Sequence, residues 1–475
     1  MEIEKFIIKN EFVSSNETAE IINPYTQKVV KKVYKSSSAQ INESLDYLNY
    51  IFGKYRNLPT YLKAELLEKI SEKIKQNKEE FAQLMTTEMG KPIKFSRIET
   101  ERAIFNFKDG AEEAKRIMGE IIPLDLLKGS ENKFGIVKRF PLGVILAITP
   151  WNFPLNLVAH KIAPALASGN VVLLKPASAT FATGIELVKV IKESCDELGL
   201  DFCPVNVVTA SGSEIEKFVS DSRVKMVSFT GSPIVGWGMK PKLIMQKVAL
   251  ELGGNAGVIV DKTADLELAA NKIALGAFAQ AGQSCISVQR VFVHDNINYE
   301  FEELLLNVTK KTKFGNPFEE DTIVGPMINI DEAKRAEQWI DDALKDGANI
   351  LHGGNRKEAM LEPTILVNTK SKHNVNCKEI FAPVLTLRKF SDFKNVIEEV
   401  NNSDFGLQAG VFTKNIDNAF FAYNNIETGG VIINDVPTYR MDSMPYGGMK
   451  QSGTGREGLR YAIEEMTERK VMVVS

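Results

Sequence analysis

The sequence predicts an α/β protein with two parallel-sheet halves, on three observations. Through the middle of the chain, short apolar runs rich in β-formers alternate with helical stretches of about 10–15 residues, the signature of βαβ units and a parallel sheet. A second alternation follows it towards the C-terminus. Two further strand-like segments, 132–141 and 468–475, stand outside both. The 475 residues, 44% of them hydrophobic, suffice for a large packed core, and this length suggests two or three domains.

The elements follow in order. The first 130 or so residues read mainly as amphipathic helices, for example "YLKAELLEKISEKIKQNKEEFAQLMTTEMG", with the charges on a solvated face. "NKFGIVKRFP" (132–141) reads as a strand. Then come "GVILAIT" (143–149), the helical "LNLVAHKIAPALASG" (155–169), "VVLLK" (171–175), a helix around 181–198, "VNVVT" (205–209) and "VKMVSFT" (224–230). The second alternation starts at "KVALELGG" (247–254) and runs through "AGVIVD", a helix from about 265 to 281 and "VQRVFVH" (288–294). Later strands are expected near 364–367, 383–388, 409–413 and 431–434. The tail "ERKVMVVS" (468–475) reads as an apolar strand. A free apolar edge is an aggregation hazard, so this tail should pair, within the chain or across a subunit interface.

Composition narrows the function. A net charge of -3 argues against a nucleic-acid binder, whose footprint is basic. No apolar run approaches the ~18 residues of a membrane span, and the charged start "MEIEKFIIKNEF" is no secretory signal, which makes a cytoplasmic address the default. The cysteines, at 195, 203, 285 and 377, form no CxxC, and the four histidines no HExxH, so no metal is expected.

Parallel sheets bind ligands beyond the carboxyl ends of their strands. Asn152, Lys175 and the pair Gly231-Ser232 stand just after or at the ends of strand-like runs. "PWNFP" (150–154) holds Asn152 between two prolines, where its amide can donate to an oxyanion or merely close its own turn. "GQSCISVQR" (282–290) carries Cys285, a nucleophile if its thiolate is stabilised and otherwise a small buried hydrophobe. "LELGG" (250–254) ends a strand with Glu251, a candidate base or a surface carboxylate. "FTGSPIVG" (229–236) has neither the GxGxxG nor the P-loop pattern, yet Gly231 and Gly236 suit a phosphate turn. "LLKPAS" (173–178) ends a strand with Lys175, placed to meet a ribose or phosphate or to be solvated.

Together, "PWNFP", "LLKPAS", "FTGS", "LELGG", "GQSC", "EIFAPV" (379–384) and "MPYGGMKQSGTGREG" (444–458), in this order and spacing, resemble the aldehyde dehydrogenase superfamily from about residue 20 to the end. The resemblance implies a Rossmann-like cofactor domain (1–122 and 142–252), an α/β catalytic domain (253–447) and a small β oligomerisation element (123–141 and 460–475) of a dimer or tetramer. It also implies NAD(P)-dependent oxidation of an aldehyde to the acid. Cys285 would attack the carbonyl, Asn152 and the Cys285 N–H would hold the oxyanion, and Glu251 would activate water. Thr149, Pro150, Trp151, Lys175, Ser178, Gly231, Ser232, Gly236, Leu252, Glu379 and Phe381 would meet the cofactor, with Lys175 and Glu379 on the ribose and Phe381 beside the nicotinamide. Ser178 stands where NAD-preferring members often carry an acid, and losing that like charge near a 2′-phosphate points to NADP, with NAD also usable.

Phe153, Leu157, Ser284, Ile286 and Arg440 would line the substrate site, with Trp151, Phe153 and Leu157 walling an apolar entrance. Arg440 would meet an anionic or hydroxylated tail, or else form a loop salt bridge. The stretch "INDVPTYRMDSMPYGG" (433–448) resembles members acting on lactaldehyde and glyceraldehyde, with succinate semialdehyde and non-phosphorylating glyceraldehyde-3-phosphate relatives as the alternative. The absence of arginine before Cys285 lowers the phosphorylated substrate. A coenzyme-A-acylating dehydrogenase, a non-catalytic structural relative and a cofactor-independent thiol esterase are the rivals. Glu251 and the occupied reactive positions favour hydrolytic dehydrogenation over them.

Overall fold

The structure, a computed structural model, describes residues 2–475. Its centre is a six-stranded sheet in the order Val205–Val207, Val171–Lys175, Val144–Ile148, Val224–Thr230, Lys247–Glu251, Gly453–Thr454. The first five strands run parallel and the last is antiparallel. The three leading strands are buried at every residue, as continuous apolar runs in a parallel sheet should be. Chain order reverses between Val144–Ile148 and Val224–Thr230, so a crevice opens beyond their carboxyl ends. The wholly buried helix Asn156–Ser168 follows the first of these strands, and helices Ser38–Tyr55, Thr60–Gln76 and Ile93–Ala114 pack around the sheet in one core.

The second sheet has seven strands, in the order Asn349–His352, Thr364–Val367, Val384–Phe390, Val288–His294, Ala256–Val260, Gln408–Phe412, Gly430–Ile433. Only Asn349–His352 is antiparallel. It has its own core, built on helices Leu266–Phe278, Asn298–Lys310 and Ile330–Lys345. A three-stranded antiparallel sheet stands apart: Thr467–Val474 pairs residue for residue with Phe134–Pro141, which also pairs with Glu120–Pro123. The two outlying strand-like segments therefore pair with each other inside the chain.

Three expectations differ from this architecture. Residues 3–34 are strands rather than helices: Ile3–Glu4, Val29–Tyr34 and Thr18–Ile22 form one sheet, and Phe6–Ile8 pairs with Glu11–Val13. Their lysines and glutamates, as in "VVKKVY", blur the alternation that marks a strand, and the turn is closed by a side chain, Asn23 Oδ1 accepting the N–H groups of Tyr25 and Thr26. The segment Lys247–Glu251 belongs to the first sheet, beside Val224–Thr230, and the second sheet opens only at Ala256. Three of the four residues of Glu120–Pro123 lie inside the expected first segment, 1–122.

Candidate active site

Strand register assembles one edge of the site. Ile148 lies opposite Lys175 and Phe229, and Thr230 opposite Glu251, so Thr149, Lys175, Thr230 and Glu251 share one carboxyl edge. Lys175 is buried with no carboxylate among the described residues bonded to it, and burial pulls its ammonium down to about 8. The hydroxyls of Thr149 and Thr230 are buried without a partner among the described residues. Across from this edge, burial pushes the Glu379 carboxyl up to about 7, although it accepts the Gly254 N–H at 2.8 Å. A Cβ at Gly253 would stand 2.4 Å from Glu379 Oε2, which explains the glycine there. Trp151 and Phe381 meet edge to face with centroids 5.7 Å apart.

The cysteine loop is held by an unusual backbone. After helix Leu266–Phe278, three consecutive residues are left-handed: Gln280 at φ 54°, Ala281 at 56° and Gly282 at 65°. Such conformations in non-glycine residues cost about 1–3 kcal/mol each and cluster at functional sites. A Cβ at Gly282 would lie 2.1 Å from the Ala382 carbonyl, and one at Gly254 2.1 Å from that of Cys285, so the loop rests directly on the Gly253-Gly254 turn. Asn152 Nδ2 donates to the Gln283 carbonyl at 3.0 Å, and Gln280 Nε2 donates to the Asn152 carbonyl at 2.6 Å. The "PWNFP" turn and the cysteine loop are thus stitched together. Asn152 Oδ1 and the Cys285 N–H have no partner among the described residues.

Cys285 Sγ lies 3.1 Å from Tyr446 Oη and packs beside Ile286, Leu407 and Met444. Burial pushes the thiol up to about 12, the Tyr446 hydrogen bond and Arg440 working against that rise and Glu379 and Glu251 with it. Glu251 is 4% exposed and neither of its carboxyl oxygens has a partner among the described residues. Burial first, and Glu457 second, hold its carboxyl well above the usual range. A Cβ at Gly447 would approach Glu251 Oε1 to 2.9 Å, so the Tyr446-Gly447 segment meets the cysteine through the Tyr446 side chain and the glutamate at Gly447. Burial opposes ionisation of Glu457 too, yet Lys161 and Arg440 bring its carboxyl down to about 2.

The other expected residues are placed as follows. Pro150 is half-buried at the turn, and Ser284, also half-buried, joins Glu379 and Phe381 in lining a small cavity. Ser178 is exposed in a short 3-10 turn, and Ser232 is exposed after its strand. The Gly231 N–H is taken by the Glu251 carbonyl at 3.0 Å. Gly236 packs on Leu252. Leu157 is buried in its helix, and the Phe153 ring faces cations, the Lys91 ammonium at 4.0 Å and the Arg102 guanidinium at 5.8 Å, so the expected entrance is not simply apolar. Of the two readings of Arg440, the salt bridge is present: Nη2 donates to Glu457 Oε2 at 2.8 Å, with Nε unpartnered among the described residues.

Sequence reasoning passed over Tyr446, Glu457, Lys161 and Arg102. The first two lie inside a quoted motif, and Lys161 is the one lysine in a mostly apolar helix, itself a signal. Arg102 bonds Asp442 bidentately at 2.9 and 2.6 Å, which nothing local in the sequence announces.

The sequence model of the aldehyde dehydrogenase family matches residues 12–472. The chain belongs to this family. It is an aldehyde dehydrogenase, an oxidoreductase, with that family's two-sheet fold. Among the relatives of this aldehyde dehydrogenase is the 3-sulfolactaldehyde dehydrogenase of Priestia megaterium, 42% identical over 98% of this chain and 97% of that protein. Aldehyde dehydrogenase 21 from Physcomitrella patens, solved in complex with the reaction product succinate, superposes with TM-score 0.96 at 42% identity over 99% of this chain and 98% of that one. Glyceraldehyde-3-phosphate dehydrogenase GapN from Methanocaldococcus jannaschii, complexed with NADP, gives TM-score 0.93 at 38% identity over 97% and 100%. No helix among the described residues of this aldehyde dehydrogenase is long and apolar enough to cross a membrane.

Proposed function

We propose that this aldehyde dehydrogenase oxidises a short aldehyde bearing a hydroxyl or an anionic tail to its acid, with NADP as the favoured acceptor and NAD as a usable one. Asn152 bonded to the Cys285 loop, with Tyr446 against the sulfur and the next residue, Gly447, against Glu251, is the juxtaposition that carries this reading. The buried, unpaired ammonium of Lys175 and the unpartnered hydroxyls of Thr149 and Thr230 fit a dinucleotide laid across the first sheet's edge, with Glu379 on the ribose and Phe381 and Trp151 beside the ring. Bound there, NAD(P) supplies a hydride acceptor next to the sulfur.

Within this reading Cys285 Sγ adds to the aldehyde carbon, and the new oxyanion accepts hydrogen bonds from Asn152 Nδ2 and the Cys285 N–H, a pair that stays fixed through the reaction. Oxidation leaves a thioester on Cys285. Glu251 then takes a proton from the water that attacks the thioester, and the acid departs. The named substrates of the relatives, sulfolactaldehyde and glyceraldehyde 3-phosphate among them, support a small polar aldehyde. A homo-oligomer assembled through the three-stranded sheet completes the proposal.

The test is a panel of lactaldehyde, glyceraldehyde and succinate semialdehyde with each cofactor, read at the reduced-nicotinamide absorbance, on the native protein and on Cys285→Ala. Turnover with NADP that vanishes in Cys285→Ala is the expected result. Undiminished turnover in that variant refutes the nucleophile, and a strong preference for NAD refutes the reading of Ser178.

A further inference from the structure

We propose that Tyr446 is a catalytic residue whose phenol donates a hydrogen bond to the Cys285 thiolate and so sets how readily that thiol becomes a nucleophile. The inference rests on the reading of Cys285 as the attacking group. Tyr446 Oη is 3.1 Å from Sγ, the only hydrogen-bonding side chain on that sulfur among the described residues. Either atom is able to donate while the sulfur is protonated; once it is a thiolate, only the phenol can.

Two features make the phenol a dependable donor. The backbone of Tyr446 is clamped to Glu457 in both directions, its N–H donating at 3.1 Å and its carbonyl accepting at 2.7 Å. The Arg440 guanidinium lies 3.7 Å from the ring centroid, fixed by its own bond to Glu457 at 2.8 Å, and so draws electron density from the phenol. Burial, with Cys285 adding to it and Arg440 opposing, keeps the phenol protonated far above its ordinary range.

A thiol buried beside Glu379 and Glu251 needs such help, because every other neighbour named except Arg440 penalises its anion. In the step itself the thiol proton leaves to water, Cys285 as a residue being part-buried rather than sealed off. The sulfur lone pair forms the C–S bond, the carbonyl π pair moves to oxygen, and Tyr446 keeps its own proton throughout. Once the sulfur is acylated it carries no charge, and the hydrogen bond loses most of its worth. Tyr446 should therefore act first on acylation, and on thioester hydrolysis only as the C–S bond breaks and the thiolate returns.

The experiment is Tyr446→Phe, which keeps the ring and its packing. Alkylation of Cys285 by iodoacetamide, with the modified peptide mapped by mass, is expected to slow about threefold at each pH below the thiol pKa, as a rise of about one pKa unit cuts the thiolate about tenfold while the more basic thiolate reacts about threefold faster. The pre-steady-state burst of reduced cofactor should slow in parallel, while cofactor affinity and the melting temperature stay at the native values. A rate equal to or faster than native overturns the proposal, as does loss confined to the hydrolytic phase. Cys285→Ala, run alongside, separates the two ideas: activity surviving in that variant removes the nucleophile itself, whereas an inactive Cys285→Ala with a native-like Tyr446→Phe removes only the role of Tyr446.

Discussion

Glu251 ends a strand in a pocket where neither carboxyl oxygen finds a partner among the described residues, so its protonation state is set by burial and by Glu457. A carboxyl held above its ordinary 4.5 stays protonated into higher pH, and in that form it cannot accept a proton from water. Steady turnover of the native enzyme should therefore rise with pH through the raised pKa. In Glu251→Gln that limb should disappear and steady turnover fall about 10²–10⁴-fold, the range for a lost general base. A burst of about one equivalent of reduced cofactor per site should persist, since acylation does not use this residue. Stopped-flow absorbance resolves the two phases. A variant that lost its burst as well would assign Glu251 to the attack on the aldehyde.

At the scale of elements, the helix Asn156–Ser168 carries the weight of the site's geometry, since it follows the turn that holds Asn152. Its N-terminus has no cap from its own N-cap residue, Leu155. Glu99, on helix Ile93–Ala114, fills the role: Oε1 accepts the N–H groups of Leu155 at 2.9 Å and Asn156 at 3.0 Å. Its other oxygen is ion-paired with Lys91, both side chains fully buried. Removing one partner of such a pair leaves an uncompensated buried charge and costs about 3–5 kcal/mol. Glu99→Ala should lose about that much in denaturant unfolding, and the double variant Lys91→Met/Glu99→Leu should lose less than Glu99→Ala alone. Equal losses in the two would mean that capping, and not the stranded ammonium, dominates.

At the scale of the whole molecule, the tail strand Thr467–Val474 is paired along one edge only. Val471, Met472 and Val473 are about half exposed, and Ile121 on the far strand of the same sheet is more exposed still. A long apolar edge of this kind is normally covered. Under the proposed homo-oligomer, Met472→Glu is expected to shift the protein to a smaller species in light scattering after size exclusion, with the monomer fold intact by circular dichroism. A native protein that already elutes as a monomer would refute the assembly.

Apolar runs and punctuation were enough to determine both parallel sheets, because a strand buried on both faces reads as "VVLLK" wherever it sits. The family resemblance of seven motifs, and no spacing rule among the three residues themselves, singled out Cys285, Asn152 and Glu251. The N-terminal strands escaped because half-solvated, lysine-rich edges carry little periodicity. Only the folded chain could decide that Lys247–Glu251 joins the first sheet, that Arg440 is held by Glu457, or that Tyr446 meets a sulfur 161 positions away. Local patterning records which face of an element is buried. It holds no record of which distant polar group will stand opposite, because that depends on how the two sheets close on one another.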